Sequence, residues 1–371
     1  MALRYAESIL VNRTIEEAKE LQFRLMDEIT KEFTNNSFFE TGDLGLHPAY
    51  NRPKTTASAE RVLANLFHSE ACALVRGSGT AAIRITLSMV VEPGDFVIVH
   101  KAPMYKTTQE TFRMMGLKQI AVNYNEKGAL QKALESDNTS KVFYIQHARQ
   151  KPTDIYDLKE TIAFVKKKRP DLFIVVDDNY CAMKMKGIGV EYGAHLSTFS
   201  GFKLMGPEGI GVILGPETII NKIHESNYSG GGQVQGQEAH ALLRGMTAAP
   251  VMLAVQNEQV EQLCRYLNEN KTSFVKEAYM TNSQSKNVII ELNEPIAQVV
   301  IEKAAKYGAA TYPVGAESKY ELVPMIYRVS GSFLESQPHL KEYGLRVNPM
   351  KSSAATVIRI LNAAINEIVR G

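Results

Sequence analysis

Tryptophan is missing from this chain and cysteine nearly so: 371 residues hold 3 cysteines and no tryptophan. Cys72, Cys181 and Cys264 stand far apart, which excludes a disulfide framework and a paired-cysteine metal or redox site and fits a reducing compartment. Charge of one sign is lacking too. With 42 Lys and Arg against 40 Asp and Glu, the formal net charge is +2, so no strong field points to nucleic acid or a membrane surface. Apolar runs fall short of the ~20 residues a bilayer span requires. Arg4, Glu7 and Arg13 interrupt the apolar residues at the N-terminus, so no signal-peptide core is expected there. These absences imply a cytoplasmic location. The 8 histidines include no His-x-His or His-Glu-x-x-His pair, so no metal site is expected.

What remains is ordinary globular composition, 44% hydrophobic and 22% charged, on a chain long enough for about two domains. An amphipathic helix is expected over 14–32, with Glu16 and Glu17 in its first turn. Residues 33–58, rich in Asn, Gly, Pro and Thr, read as a long loop or extended arm, uncommon unless functional. From about 59 to 215 short Val/Ile-rich strands alternate with helices: Ala59–Phe67, strand Ala71–Val75, a helix from Thr80, and strands Phe96–Val99, Gln119–Val122, Val142–Ile145 and Leu172–Val176. Helices near Gln109–Met115 and Leu158–Lys168 separate them, the latter ending in Lys166-Lys167-Lys168-Arg169 before Pro170. That pattern implies a three-layer α/β domain on a mostly parallel sheet. The expected organisation is an N-terminal helix and arm (1–58), a large α/β domain (59–236), a linking helix (237–270) and a small C-terminal α+β domain (271–371). Strands near Asn287–Leu292 and Met325–Val329 and a final helix after Ser352 fill the last of these.

Lys203 is the most informative residue. It lies in Ser200-Gly201-Phe202-Lys203, between the apolar runs His195–Phe199 and Ile210–Leu214. A tight loop between two strands would hold its amine beside hydroxyls, suited to a Schiff base with a phosphate held nearby. On its own this is weak, since most lysines are solvated. Other segments complete the chemistry that pyridoxal phosphate (PLP) requires.

Gly77-Ser78-Gly79-Thr80-Ala81-Ala82 follows a strand and opens a helix, where backbone N–H groups and the helix dipole favour phosphate. The rival reading is a dinucleotide fingerprint, and the acidic residue expected after the next strand is missing; a plain capped turn is the bland one. Asp177 ends the run Phe173-Ile174-Val175-Val176, at the strand end where open α/β sheets bind ligands. It could hold a pyridine nitrogen or simply form a turn with Asp178 and Asn179. Tyr105, just past Phe96–Val99, could stack on a ring or merely pack. Tyr50-Asn51-Arg52 puts an arginine in the arm, suited to phosphate or to solvent. Arg346, before the final helix, is the first candidate for a substrate carboxylate and Arg328 the second, and either could be a surface ion pair.

Taken together these residues resemble the fold-type I PLP enzymes, the aspartate-aminotransferase-like superfamily, from about residue 45 to 371. Within it they are most similar to the Cys/Met-metabolism lyases and class V aminotransferase-like proteins. Tyr50-Asn51-Arg52 looks like the lyases' Tyr-x-Arg arm, Ser78-Gly79-Thr80 like their phosphate turn, and Val176-Asp177-Asp178-Asn179-Tyr180 like their Asp-Asn-x-Tyr segment. The resemblance implies that Lys203 is the Schiff-base lysine and proton shuttle, that Asp177 faces the pyridine nitrogen and that Tyr105 stacks. It implies that Ser78, Gly79, Thr80 and Ser200 hold the phosphate, with Tyr50 and Arg52 arriving from a neighbouring subunit of a homodimer or dimer of dimers. Phe202 stands where the lyases carry a hydroxyl, Gln146-His147-Ala148-Arg149 replaces their strand-end segment near the substrate, and Gly230-Gly231-Gly232-Gln233 also departs from them.

The expected activity forms a Cα carbanion on a small amino acid, with elimination or replacement at Cβ or Cγ first. An aminotransferase is the alternative; a racemase, a nicotinamide-dependent oxidoreductase or a non-catalytic binding module stand further off.

Overall fold

The structure, a computed structural model, describes residues 10–370 apart from 152, 229, 230, 271, 282–284, 315 and 316. Arg4, Glu7 and Gly230, singled out above, lie outside the described residues. The chain forms two compact units, one of residues 16–148 and 155–250, the other of the described residues of 1–15, 149–154 and 251–371.

The first unit runs α1 (Ile15–Glu32), α2 (Lys54–Leu66), β1 (Ala71–Arg76), α3 (Ser78–Val90), β2 (Phe96–His100), α4 (Lys106–Met114), β3 (Lys118–Val122) and α5 (Lys127–Ser136). It continues with β4 (Ser140–Gln146), α6 (Leu158–Lys168), β5 (Phe173–Asp177), β6 (Leu196–Ser200), β7 (Ile210–Gly215) and α7 (Glu217–Ser226). Its sheet has the order β1-β7-β6-β5-β4-β2-β3. The β6-β5-β4-β2-β3 ladder is parallel throughout, and β7 alone runs against both its neighbours, β1 and β6.

Strand alternation builds the three layers. Val175 of β5, Val142 and Tyr144 of β4, and Val97 and Val99 of β2 pack with Ile83 and Leu87 of α3, Phe112 of α4 and Ile220 of α7. Their neighbours Ile174, Val176, Phe143, Ile145 and Ile98 point the other way, to Leu130 and Leu134 of α5 and Ile162 and Val165 of α6. Burial on both faces is why these strands read as continuous apolar runs rather than alternating ones.

The boundary that differs most from expectation is the start of α2. Helix α2 begins at Lys54, not Ala59, because Asp43 in the arm caps it: Lys54 N donates to Asp43 Oδ2 at 2.7 Å and Thr55 N to Oδ1 at 2.9 Å. A cap supplied from that far back leaves no local signal.

A long helix, α8 (Gly236–Glu269), crosses from one unit to the other. The second unit adds β8 (Val275–Thr281), β9 (Asn287–Leu292), α9 (Ala297–Lys306), β10 (Met325–Arg328), α10 (Ser332–Ser336), α11 (Leu340–Tyr343), β11 (Gly344–Asn348) and α12 (Ala354–Arg370). Its four strands form an antiparallel sheet in the order β10-β11-β9-β8, covered by Val300 and Ala304 of α9 and Val357, Ile360 and Leu361 of α12. Two of them, β8 and β11, are additions to the expected pair. Arg346 therefore lies on a strand, opposite Tyr327 of β10.

Candidate active site

The site in the first unit begins at the C-terminal end of β5. Asp177 is the last residue of that strand and only 4% exposed. Its Oδ1 accepts from Asn179 N at 3.0 Å and from Asn179 Nδ2 at 2.7 Å, and its Oδ2 accepts from Tyr144 Oη on β4 at 3.2 Å. Burial pushes this carboxyl above the usual aspartate range, while the Asn179 donors and the charge of Lys203 pull it back. Asp178 turns to different partners, His147 and the amide of Gly189.

Lys203 rides on a single 3₁₀ turn, Gly201–Leu204, immediately after β6, and the amide of Gly206 closes that turn onto the Gly201 carbonyl at 3.0 Å. Its Nζ donates to Asn179 Oδ1 at 3.2 Å and lies 4.2 Å from the centroid of the Tyr180 ring. Tyr180 reaches that place with φ +66°, a left-handed conformation that costs a non-glycine residue about 1–2 kcal/mol. Asn179 Oδ1 also accepts from Ser200 N at 3.0 Å, so one side chain touches the aspartate, the lysine and the strand end before the lysine.

Opposite them stands the start of α3. Ser78 Oγ and Ser200 Oγ are 2.6 Å apart. The amides of Gly77 and Ser78 are taken by the carbonyl of Gly209, at 2.7 and 2.9 Å. Those of Gly79 and Thr80 are first-turn donors without an acceptor inside the helix, the arrangement that suits an anion. Glycine is required at 79 by close approach: a Cβ there would lie 2.7 Å from both amide atoms of Asn179. Thr80 Oγ1 donates to Thr107 Oγ1 at 3.2 Å.

The structure thus brings Lys203, Asp177, Ser78, Ser200 and Gly79 together around Asn179. Other candidates have different surroundings. Tyr105 is 50% exposed at the N-cap of α4. Arg52 Nε pairs with buried Glu60 at 2.5 Å and its Nη1 donates to the Tyr50 carbonyl at 2.6 Å, while the Tyr50 ring lies 5.1 Å from that of His47. The Gln146 amide donates to the Ala148 carbonyl at 3.1 Å. In the second unit Arg346 is 3% exposed and its Nε has no hydrogen-bond partner among the described residues, whereas Arg328 is exposed.

Asn179, Tyr144 and Tyr180 went unrecognised as contributors. Asn179 and Tyr180 stood inside the quoted segment after β5. Tyr144 carried no signal, since a tyrosine in a buried strand reads as packing.

The donor set fits PLP. A buried carboxylate suits a ring nitrogen, paired hydroxyls and helix-end amides suit a phosphate, and the Lys203 amine suits a Schiff base. The comparisons with known proteins agree. The model of the Cys/Met metabolism PLP-dependent enzyme family matches residues 32–293, and that of the YhfS-like C-terminal domain matches 261–361. This chain belongs to the Cys/Met metabolism PLP-dependent enzymes, with fold type I and pyridoxal phosphate as cofactor. It is 44% identical over 359 residues to the protein YhfS of Escherichia coli strain K12, covering 97% of this chain and 99% of the relative. The crystal structure of the pyridoxal-5'-phosphate dependent protein YhfS from Escherichia coli superposes with a TM-score of 0.94 at 43% identity, covering 99% of this chain and 100% of that one. Cystathionine gamma synthase from Xanthomonas oryzae pv. oryzae, in complex with cystathionine, shares the fold at a TM-score of 0.68 and 16% identity, over 93% of this chain and 97% of that one. Among the described residues no group of His, Cys, Asp and Glu is placed to hold a metal ion, and no helix is long and apolar enough to cross a membrane.

Proposed function

We propose that the protein is a PLP-dependent lyase acting on a small amino acid with a leaving group on Cβ or Cγ. One observation carries the reading: the amine of Lys203 rests 3.2 Å from the Asn179 side chain, which in turn donates to Asp177. A base and the acid's counter-charge therefore share one hydrogen-bonded frame.

Bound pyridoxal phosphate supplies an electron sink for charge developing at the substrate Cα. Asp177 faces the ring nitrogen and keeps it protonated, and Tyr105 packs on the ring face. Ser78, Gly79, Thr80 and Ser200 hold the phosphate, completed by Tyr50 and Arg52 of a neighbouring subunit in a homodimer or dimer of dimers. Arg346, with Gln146, orients the substrate carboxylate, and Arg328 is the second candidate for that task. The neutral Lys203 amine removes the Cα proton and then delivers a proton to the departing group.

Family membership supports the cofactor, and the cystathionine enzymes among the structural neighbours support elimination or replacement over other outcomes. The test incubates the PLP-loaded protein and its Lys203→Ala variant with a panel of small amino acids, including thioether ones. The lyase reading expects ammonia and a 2-oxo acid, lost by at least ~10²–10⁴-fold in the variant. Amino transfer to an added 2-oxo acid without ammonia would replace it with the aminotransferase reading, and conversion to the mirror-image amino acid with a racemase.

A further inference from the structure

The Asn179 side chain has two ends, and both are used. Nδ2 donates to Asp177 Oδ1 at 2.7 Å, while Oδ1 accepts from Ser200 N at 3.0 Å and from Lys203 Nζ at 3.2 Å. It bridges the ends of two adjacent parallel strands, β5 and β6, from which the aspartate and the lysine arise. Its backbone amide adds a second donor to the same carboxylate oxygen at 3.0 Å. A glycine leaves room for its amide group, because a Cβ at residue 79 would lie 2.7 Å from Asn179 Oδ1 and Nδ2. An aspartate would keep the acceptor toward Ser200 and Lys203 but set a like charge against Asp177. A leucine would fill the volume and satisfy neither end.

We propose that Asn179 is a positioning residue that sets the orientation of the Asp177 carboxylate toward the cofactor ring and fixes where the Lys203 amine rests. The inference rests on the reading of Asp177 as the partner of the ring nitrogen. Its physical basis is competition at one buried group. Burial favours the neutral carboxyl of Asp177, and the two Asn179 donors are the leading influences that favour the carboxylate. Tyr144 adds a third donor, on the other oxygen, at 3.2 Å. Removing the Asn179 amide takes away the shortest of these contacts and lets the carboxyl rotate. The ring nitrogen then loses part of its counter-charge.

The experiment loads the protein with PLP labelled with ¹⁵N in its ring and compares parent, Asn179→Ala, Asn179→Leu and Asp177→Asn. Ring-nitrogen chemical shift and PLP affinity are read for each, with thermal unfolding as a check on folding. Asp177→Asn should move the nitrogen signal fully toward the neutral form. Asn179→Leu and Asn179→Ala should move it part of the way and weaken PLP binding about tenfold, as expected for loss of one hydrogen bond to a charged group. Asn179→Leu, which is uncharged and close to isosteric, keeps the test open if the alanine variant folds poorly. An unmoved signal in both Asn179 variants, beside a full shift in Asp177→Asn, overturns the inference alone. An unmoved signal in Asp177→Asn as well overturns the reading of Asp177 and the inference with it.

Discussion

His147 Nδ1 lies 2.8 Å from Asp178 Oδ1, and both side chains are buried. The pair sits beside the C-terminal end of β5, since the His147 amide also donates to the Asp177 carbonyl at 2.9 Å. Burial alone would lower the histidine's pKa, but Cys181 and Asp178 outweigh it and raise it from 6.5 to about 10. His147 is therefore an imidazolium at neutral pH, paired with a carboxylate inside the protein.

The sign of its pH dependence follows. A raised folded-state pKa gives stability that is complete below the unfolded value of 6.5 and is lost as pH rises through about 10. His147→Gln should cost roughly 3–5 kcal/mol at the acid end of that window, because it strands a buried carboxylate, and less at the alkaline end. Urea unfolding of both proteins across the window checks this. A cost that grows with pH would refute the assignment.

Gly79→Ala places a methyl 2.7 Å from the Asn179 amide. Overpacking of this kind costs about 1–3 kcal/mol, and the amide must shift away from Asp177 and Lys203. The variant should lose PLP affinity by more than its loss of thermal stability explains. Equal losses in both would mean that the glycine serves packing alone.

Arg346→Ala is expected to raise KM about tenfold or more with a smaller change in kcat, since a buried guanidinium with an unpartnered Nε suits a carboxylate ligand. Arg328→Ala, at an exposed position, should change little. Steady-state kinetics of the two variants decide between them, and the reverse ranking would reassign the role.

Arg52 keeps one nitrogen on Glu60 and another on the Tyr50 carbonyl, which orients the guanidinium. If the arm serves the neighbouring subunit, Arg52→Ala and Lys203→Ala chains, each nearly inactive, should regain about a quarter of parental activity when co-assembled. That figure follows because a random mixture makes half its dimers hybrid, each with one intact site. No recovery in a demonstrated hybrid would sink the shared-site proposal.

Much of this was legible in the sequence because it obeys short-range rules. Strands such as Phe173–Asp177, buried on both faces, announce themselves by composition, and Ser78-Gly79-Thr80 and Ser200–Lys203 announce themselves by spacing. What stayed hidden depends on partners remote in sequence. Helix α2 started early because of a carboxylate in the arm. Strand β11 was masked by its length, five residues with an arginine at the centre. Asn179 looked like turn chemistry until Ser200 and Lys203 folded against it.

The arm has one more consequence. Asp43 caps α2 through its side chain and accepts from Gly236 N, at the head of α8, through its carbonyl at 3.0 Å. A Cβ on Gly42 would lie 2.5 Å from the Gly236 carbonyl carbon, so the two glycines touch face to face. Beyond this clasp, Gly45 N is held by Gln235 Oε1 at 2.8 Å, and Pro53 returns the chain to the N-cap of α2. The segment from Leu44 to Arg52 is thus a tethered bight rather than a loose tail, carrying two exposed leucines, Leu44 and Leu46, on its outer side. If subunits exchange chain here, the exchange is confined to that bight, and a cut within it leaves the Asp43 cap on α2 in place.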